Sequence, residues 1–170
     1  VIVADAHQYL LEHFKEFDFI WSSPPCPSHS MFRKNFSCNV GAEPIYPDMK
    51  LYEEILLLQG YFKGLFCIEN VVSWYEPLIV SLTIQRHYFW CNFSVSGINL
   101  KRDILEITRS NNKEKYSTED EKGQIARLSK KFGFNLEKYQ GNKKLWLRNC
   151  VEPELGKHIL SCALNKISLF

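Results

Sequence analysis

A cysteine and a glutamate each follow a short apolar segment of this 170-residue chain, and together they suit nucleophilic catalysis. Residues 17–21 lead into Ser22-Ser23-Pro24-Pro25-Cys26, and residues 65–68 lead into Glu69. Apolar runs that stop at proline or polar residues predict short buried strands. Ligands bind beyond the carboxyl ends of strands in open α/β sheets, so Cys26 is a candidate nucleophile and Glu69 a candidate acid or base. The alternative for Cys26 is a small, inert core side chain.

Helices are expected between and after these strands. The pattern predicts a helix over residues 6–14 with Asp5 as its N-cap, and a second one that opens at Pro47-Asp48 and ends between Gly60 and Gly64. A strand is predicted over residues 87–95. Strands that alternate with helices predict an α/β fold with a largely parallel sheet.

Helical periodicity predicts which side chains of these helices point inward. The predicted inner faces comprise Tyr52, Ile55, Leu56 and either Gln59 or Tyr61 in the second helix, Ile125, Leu128 and Phe132 in a later helix, and Leu155, Ile159, Leu160 and Ala163 in a last helix that Pro153 opens.

The two strand ends resemble those of the DNA cytosine-5 methyltransferases. Pro25-Cys26 matches the Pro-Cys pair of the family's nucleophile motif, and Glu69-Asn70-Val71 matches its Glu-Asn-Val motif. Residues 149–153, Asn-Cys-Val-Glu-Pro, are similar to the family's closing motif before a final helix. Arg86 stands where the family carries an arginine motif, although the family usually has two arginines there.

The resemblance implies roles for particular residues. Cys26 would add to carbon 6 of cytosine, Glu69 would hydrogen-bond the ring near nitrogen 3, and Arg86 would orient the carbonyl oxygen. S-adenosylmethionine would be the methyl donor and double-stranded DNA the substrate, with the target base flipped out of its stack. The implied cofactor contacts are Asp5, Pro25 and Asn149, and the implied DNA contacts are Ser28, Ser30 and Arg33.

The resemblance also implies a Rossmann-like methyltransferase sheet with helices on both faces. Residues 1–98 would form the catalytic core, residues 99–147 a short α/β insertion similar to a target-recognition region, and residues 148–170 a segment that returns to the core. The family's glycine-rich cofactor turn is not found, so we expect an N-terminally incomplete core, whose first motifs a separate chain could supply. Residues 1–6 resemble the family's third strand, with Asp5 at its acidic end.

Other functions remain open from the sequence. A catalytically incomplete methyltransferase-like subunit would bind DNA or a partner chain without catalysis. An amino-methylating DNA methyltransferase would share the Pro-Pro step, but it needs an aromatic residue where Cys26 stands. Structural zinc at Cys26, His29 and Cys38 lacks a paired cysteine spacing and a fourth ligand, and Cys26 lacks the signature of papain-like hydrolases. We therefore expect no metal.

Composition bounds these functions only loosely. The net charge is +2, but basic residues concentrate in the carboxyl half, with Tyr116, Tyr139 and Trp146 among them, as on a surface that follows phosphates or on a solvated helix. Six cysteines without paired spacing favour reduced thiols. No apolar segment is long enough to span a membrane. We expect a cytoplasmic protein of a prokaryote or phage.

Overall fold

A computed structural model describes residues 1–31, 45–96 and 121–167 of this chain. The chain divides into two compact units, Val1–Val95 and Ser96–Phe170. None of the helices in the described ranges has the length and apolar character that crossing a membrane requires. The fold is mixed α/β, as the sequence predicts.

A four-stranded mixed sheet organises the first unit. Its strands are β1 (Phe19–Ser22), β2 (Leu65–Val71), β3 (Leu82–Ile84) and β4 (His87–Cys91), in the spatial order β1-β2-β4-β3. β1 and β2 run parallel, whereas β4 is antiparallel to both β2 and β3. The prediction of a largely parallel sheet is therefore wrong, because a two-residue turn joins β3 and β4 as an antiparallel hairpin. The Cys26 motif follows the end of β1, and Glu69-Asn70-Val71 forms the end of the neighbouring strand β2, so the two motifs lie side by side at the carboxyl ends of these strands.

Two helices, α1 (Ala6–His13) and α2 (Lys50–Tyr61), pack on one face of this sheet. Asp5 caps α1, because its carboxylate accepts a hydrogen bond from the N–H of Gln8 at 3.0 Å. Asp48 accepts one from the N–H of Lys50 at 3.1 Å, where α2 begins. The shared core comprises Leu10, Phe14, Ile20, Leu51, Tyr52, Ile55, Leu58, Phe62, Phe66, Ile68 and Trp90. Both predicted helix starts are confirmed.

Two local predictions in this unit are wrong. Residues 1–3 are exposed and form no strand, so the expected third strand is not seen; Asp5 serves as the N-cap instead. Leu56 is 59% exposed, Gln59 and Tyr61 are exposed as well, and Leu58 is buried instead. The inner face of α2 comprises residues 51, 52, 55 and 58, in which 55 lies four residues after 51, three after 52 and three before 58.

The second unit is helical where it is described. It contains α3 (Glu121–Phe132), α4 (Lys143–Asn149) and α5 (Pro153–Ile167). Leu128 and Phe132 of α3 pack with Leu147 of α4, as the periodicity of α3 predicts. Of the predicted inner face of α5, Leu155, Ile159 and Ala163 are buried but Leu160 is 40% exposed. Residues 121–147 contain helices without a strand, while residues 99–120 of the expected α/β insertion lie outside the described residues.

Candidate active site

Cys26 lies on a tight turn just beyond the end of β1. Its carbonyl accepts hydrogen bonds from the N–H groups of His29 at 3.0 Å and Ser30 at 3.1 Å. Ser30 also forms an antiparallel bridge with Ser73, which follows β2. The half-buried thiol is therefore carried on a hydrogen-bonded turn.

The loop that follows β2 holds this turn through several further hydrogen bonds. Asn70, at the end of β2, donates from its amide nitrogen to the carbonyl of Pro24 at 3.2 Å. Trp74 donates from its indole to the carbonyl of Ser28 and from its backbone N–H to the carbonyl of His29, both at 3.1 Å. Two segments about forty residues apart in the sequence therefore form one unit, which we call the two-loop clamp, residues 24–30 and 70–75.

A buried chain of hydrogen-bonded polar groups connects Tyr52 to the two-loop clamp. The Tyr52 hydroxyl accepts from the N–H of Leu78 at 3.2 Å and donates to the Tyr75 hydroxyl at 3.3 Å, and the Tyr75 oxygen lies 2.6 Å from Nδ1 of His29. Burial lowers the pKa of His29, so its imidazole is neutral near pH 7. Because the Tyr52 hydroxyl donates to Tyr75, the Tyr75 hydroxyl donates in turn to Nδ1 of His29. The single N–H proton of the neutral imidazole then resides on Nε2. Nε2 is buried without a hydrogen-bond partner among the described residues.

Glu69 is a buried carboxyl on β2 beside this clamp. Burial raises its pKa, while a hydrogen bond from the Ser23 side chain and the positive charge of Arg86 act in the opposite direction. A carboxyl in such surroundings keeps its proton to higher pH than an exposed one. Glu69 can therefore serve as a hydrogen-bond donor as well as an acceptor.

Arg86 lies on the two-residue turn between β3 and β4. Gln85, the first residue of this turn, has a φ of 56°, as hairpin turns with mirror-image geometry require. Burial raises the pKa of the Cys26 thiol, the charge of Glu69 raises it further, and Arg86 lowers it. The three residues that the sequence nominates for catalysis thus act on one another electrostatically.

His87 belongs to the same cluster, although no sequence motif predicted a role for it. Its Nε2 lies 3.6 Å from the Glu69 carboxylate, beyond hydrogen-bonding distance. Burial, assisted by Arg86, lowers the pKa of His87 to about 4, so the contact is with a neutral ring and is not an ion pair at pH 7. Nδ1 of His87 is buried with no partner in the described part of the chain. Only the pairing of β2 with β4 brings this ring to Glu69.

A cavity of about 290 Å³ opens beside Pro25, at the amino-terminal ends of α1 and α2. Asp5 and Pro25 both line it, as do His29, Lys50 and Glu54. The carboxylate of Glu54 is buried and accepts from the Ser22 hydroxyl at 2.7 Å. Its other oxygen lies 3.0 Å from Nδ1 of His7. Two of the three expected cofactor contacts, Asp5 and Pro25, therefore lie on one cavity.

The remaining predicted DNA and cofactor contacts are Ser28, Ser30, Arg33 and Asn149. Ser28 is buried, and its hydroxyl accepts from the N–H of Asp48 at 3.0 Å, so here it supports the clamp. Ser30 is half-buried beside Ser73, and Arg33 lies outside the described residues. Asn149 is exposed at the end of α4 in the second unit. The roles of these four residues in binding stay predictions.

Within residues 1–31, 45–96 and 121–167, no three His, Cys, Asp or Glu side chains cluster as metal ligands would. Cys38, part of the zinc alternative, lies outside these ranges. Comparison of the chain with protein-family models, with curated proteins and with solved structures finds no match. The arrangement itself offers a nucleophile, a protonatable carboxyl and a fixed cation around one clamp.

Proposed function

We propose that this chain carries the base-reacting site of a DNA cytosine-5 methyltransferase. The observation that supports this most is the set of hydrogen bonds by which the segment after Glu69 holds the Cys26 turn. The charges of Glu69 and Arg86 also act on the Cys26 thiol. The clamp between the Cys26 turn and the segment after β2 explains why the two motifs occur together. A Rossmann-like sheet is proposed with it; the parallel pair β1-β2, connected through α2, supports that architecture.

The proposed chemistry begins at the Cys26 sulfur. Carbon 5 of cytosine becomes nucleophilic only after a group adds to carbon 6, and a thiolate can both add and leave. The raised pKa of Cys26 means that the free thiol holds its proton near neutral pH. The proton must therefore pass to water as the sulfur adds to carbon 6, and Arg86 favours the thiolate by its charge.

Glu69 is proposed to stabilise the negative charge that develops on the cytosine ring. Because burial raises its pKa, it can donate a hydrogen bond to nitrogen 3 as electron density moves there. Arg86 is proposed to bind the carbonyl oxygen of the base. His87 is a neutral ring whose Nε2 lies 3.6 Å from the Glu69 carboxyl, and we propose that it positions Glu69.

The cavity beside Pro25 is proposed to hold part of S-adenosylmethionine, which supplies the methyl group when bound. Its polar lining fits such a ligand: the carboxylate of Asp5 suits hydroxyl or amino groups, and Lys50 suits a carboxylate. The volume of about 290 Å³ is near the lower bound for ligand pockets, enough for a part of the cofactor.

Hydrogen exchange at carbon 5 tests the thiol addition without requiring methyl transfer. Addition of Cys26 makes carbon 5 basic, so it takes a deuteron from heavy water and loses a hydrogen when the thiol leaves. We expect the full chain to introduce deuterium into cytosines of a mixed-sequence duplex pool, and Cys26→Ser to abolish this. Mass spectrometry of the released deoxycytidine measures it.

Cys162→Ser is the matched control, because that thiol is also half-buried but lies in the second unit. It should exchange as the unmodified chain does. With S-adenosylmethionine present, duplex DNA containing 5-fluorocytosine should form an adduct that survives denaturation, because fluorine blocks the final elimination. Exchange that persists in Cys26→Ser, or no exchange by the unmodified chain on duplex or single-stranded DNA, would contradict the proposal.

A further inference from the structure

Two cysteines face each other across adjacent strands of the sheet. Cys67 of β2 and Cys91 of β4 are direct partners in the antiparallel register. Hydrogen-bonded and non-hydrogen-bonded pairs alternate along such a ladder. The hydrogen bond of 3.0 Å from the N–H of Val72 to the carbonyl of Arg86 identifies that pair as hydrogen-bonded. Alternation along β2 then makes Cys67 and Cys91 a non-hydrogen-bonded pair.

Non-hydrogen-bonded pairs bring opposite Cα atoms to about 4.5 Å and their side chains closest together. Disulfides require Cα separations of roughly 4.4 to 6.8 Å, so this pair satisfies the backbone requirement. A thiol–thiol hydrogen bond with Cys91 is also the largest cause that raises the pKa of Cys67. Backbone register and side-chain contact thus agree that the two sulfurs are neighbours.

The two thiols differ in access. Cys67 is fully buried, whereas Cys91 is half-buried at the end of β4. An oxidant from solvent therefore reaches Cys91 first, and Cys67 is positioned to react with the product. Both cysteines are unbridged in this structure, which thus presents the reduced form.

We propose that Cys67 and Cys91 are a site of reversible oxidation, at which a peroxide closes a cross-strand disulfide. In the first step the Cys91 sulfur attacks a peroxide oxygen, the O–O bond breaks, and hydrogen peroxide yields Cys91 sulfenic acid and one water. In the second step the Cys67 sulfur displaces the hydroxyl group, which leaves as a second water. Two thiols and one peroxide thus become one disulfide and two waters; a dithiol reductant reverses the change by exchange.

The bridge would enclose most of the candidate site in one covalent loop. Between Cys67 and Cys91 lie Glu69, the clamp segment 70–75 and Arg86. The pair next to the bridge on the same sheet face is Glu69 with Phe89. Oxidation would fix β2 to β4 beside Glu69, and we expect the melting temperature of the first unit to rise because the unfolded chain is constrained.

Peptide mapping tests the proposal without DNA or cofactor. The folded full chain is treated with hydrogen peroxide and then unfolded in denaturant, where its remaining thiols are alkylated with N-ethylmaleimide before digestion with trypsin. Cleavage at Lys63, Arg86 and Lys101 places the two cysteines on different peptides, residues 64–86 and 87–101. We expect these peptides to be joined after peroxide treatment and separate after dithiothreitol, with a mass lower by two hydrogen atoms in the joined form.

Variants decide whether the pairing is specific. Cys91→Ser should lose the joined peptide and the rise in melting temperature, whereas Cys162→Ser should keep both. Cys91 is chosen for substitution because it is only half-buried, and Cys91→Ser must retain the circular dichroism of the unmodified chain. Full alkylation of both cysteines after peroxide treatment, or a bridge from either of them to Cys26, would overturn the proposal. It does not depend on the proposed reaction, since no outcome involves methyl transfer.

Discussion

Removing the Tyr75 hydroxyl should loosen the clamp and destabilise the first unit. In Tyr75→Phe, His29 Nδ1 loses its partner at 2.6 Å and the Tyr52 hydroxyl loses its acceptor at 3.3 Å. Both side chains are buried, with exposed fractions of 1% for His29 and 4% for Tyr52. His29 then has no partner at either ring nitrogen among the described residues, because Nε2 already lacks one.

The expected cost follows from these two groups. An unsatisfied buried polar group costs about 1 to 3 kcal/mol, and the longer contact to Tyr52 contributes at the low end of that range. We therefore expect Tyr75→Phe to lower the free energy of unfolding by about 2 to 3 kcal/mol. Cys26 should also react faster with iodoacetamide, because its turn is held to the Tyr75 segment.

Tryptophan fluorescence during urea unfolding can measure this in the first unit alone. The chain has four tryptophans, of which Trp146 belongs to the second unit, so Trp146→Phe serves as the background. Tyr61→Phe is the matched control, because Tyr61 is 73% exposed, and it should change stability by less than about 0.5 kcal/mol. A change for Tyr75→Phe as small as that of the control would refute the buried network.

Two further predictions concern Gly64 and Glu69. A Cβ on Gly64 would lie 2.5 Å from the backbone oxygen of Asp18, so Gly64→Ala should lower the melting temperature. Gly60 has open space around it in α2, so Gly60→Ala should raise the free energy of unfolding by about 0.4 to 1 kcal/mol. For Glu69, the raised pKa means that the folded chain binds the proton more tightly than the unfolded one, so ionisation lowers stability as pH rises from about 4.3 through the folded pKa. Glu69→Gln cannot ionise, and its melting temperature relative to the unmodified chain should therefore rise between pH 4 and pH 7. If the difference in melting temperature between Glu69→Gln and the unmodified chain stays constant from pH 4 to pH 7, the burial argument is contradicted.

Local patterns in the sequence determined most of the elements. Asp5 and Asp48 predict the starts of α1 and α2, because carboxylates at those positions satisfy free N–H groups of the first turn. Pro24-Pro25 ends the first strand as predicted, and Pro153 opens α5. These signals depend on residues close together in the chain, and so they can be identified without a structure.

Inner faces were predicted less well. Leu56 and Leu160 are apolar and sit near the buried stripe of their helices, yet both are exposed. Composition alone does not distinguish the neighbours of a stripe from its members; the partner surface decides which side chains it covers. Residues 1–3 are apolar enough for a strand, but they have no strand pairing in this structure.

The candidate site shows the same division. The sequence nominated Cys26, Glu69 and Arg86 from their own segments, but it could not show that their charges act on one another. Strand register alone places His87 near Glu69 and Cys91 opposite Cys67. Asn70 and Trp74 are connected to the Cys26 turn only by hydrogen bonds between loops that are distant in the sequence. The sequence determined which residue types were present at each strand end, whereas the tertiary structure decided which of them meet, because pairing across strands and loops depends on long-range contacts that local patterns do not encode.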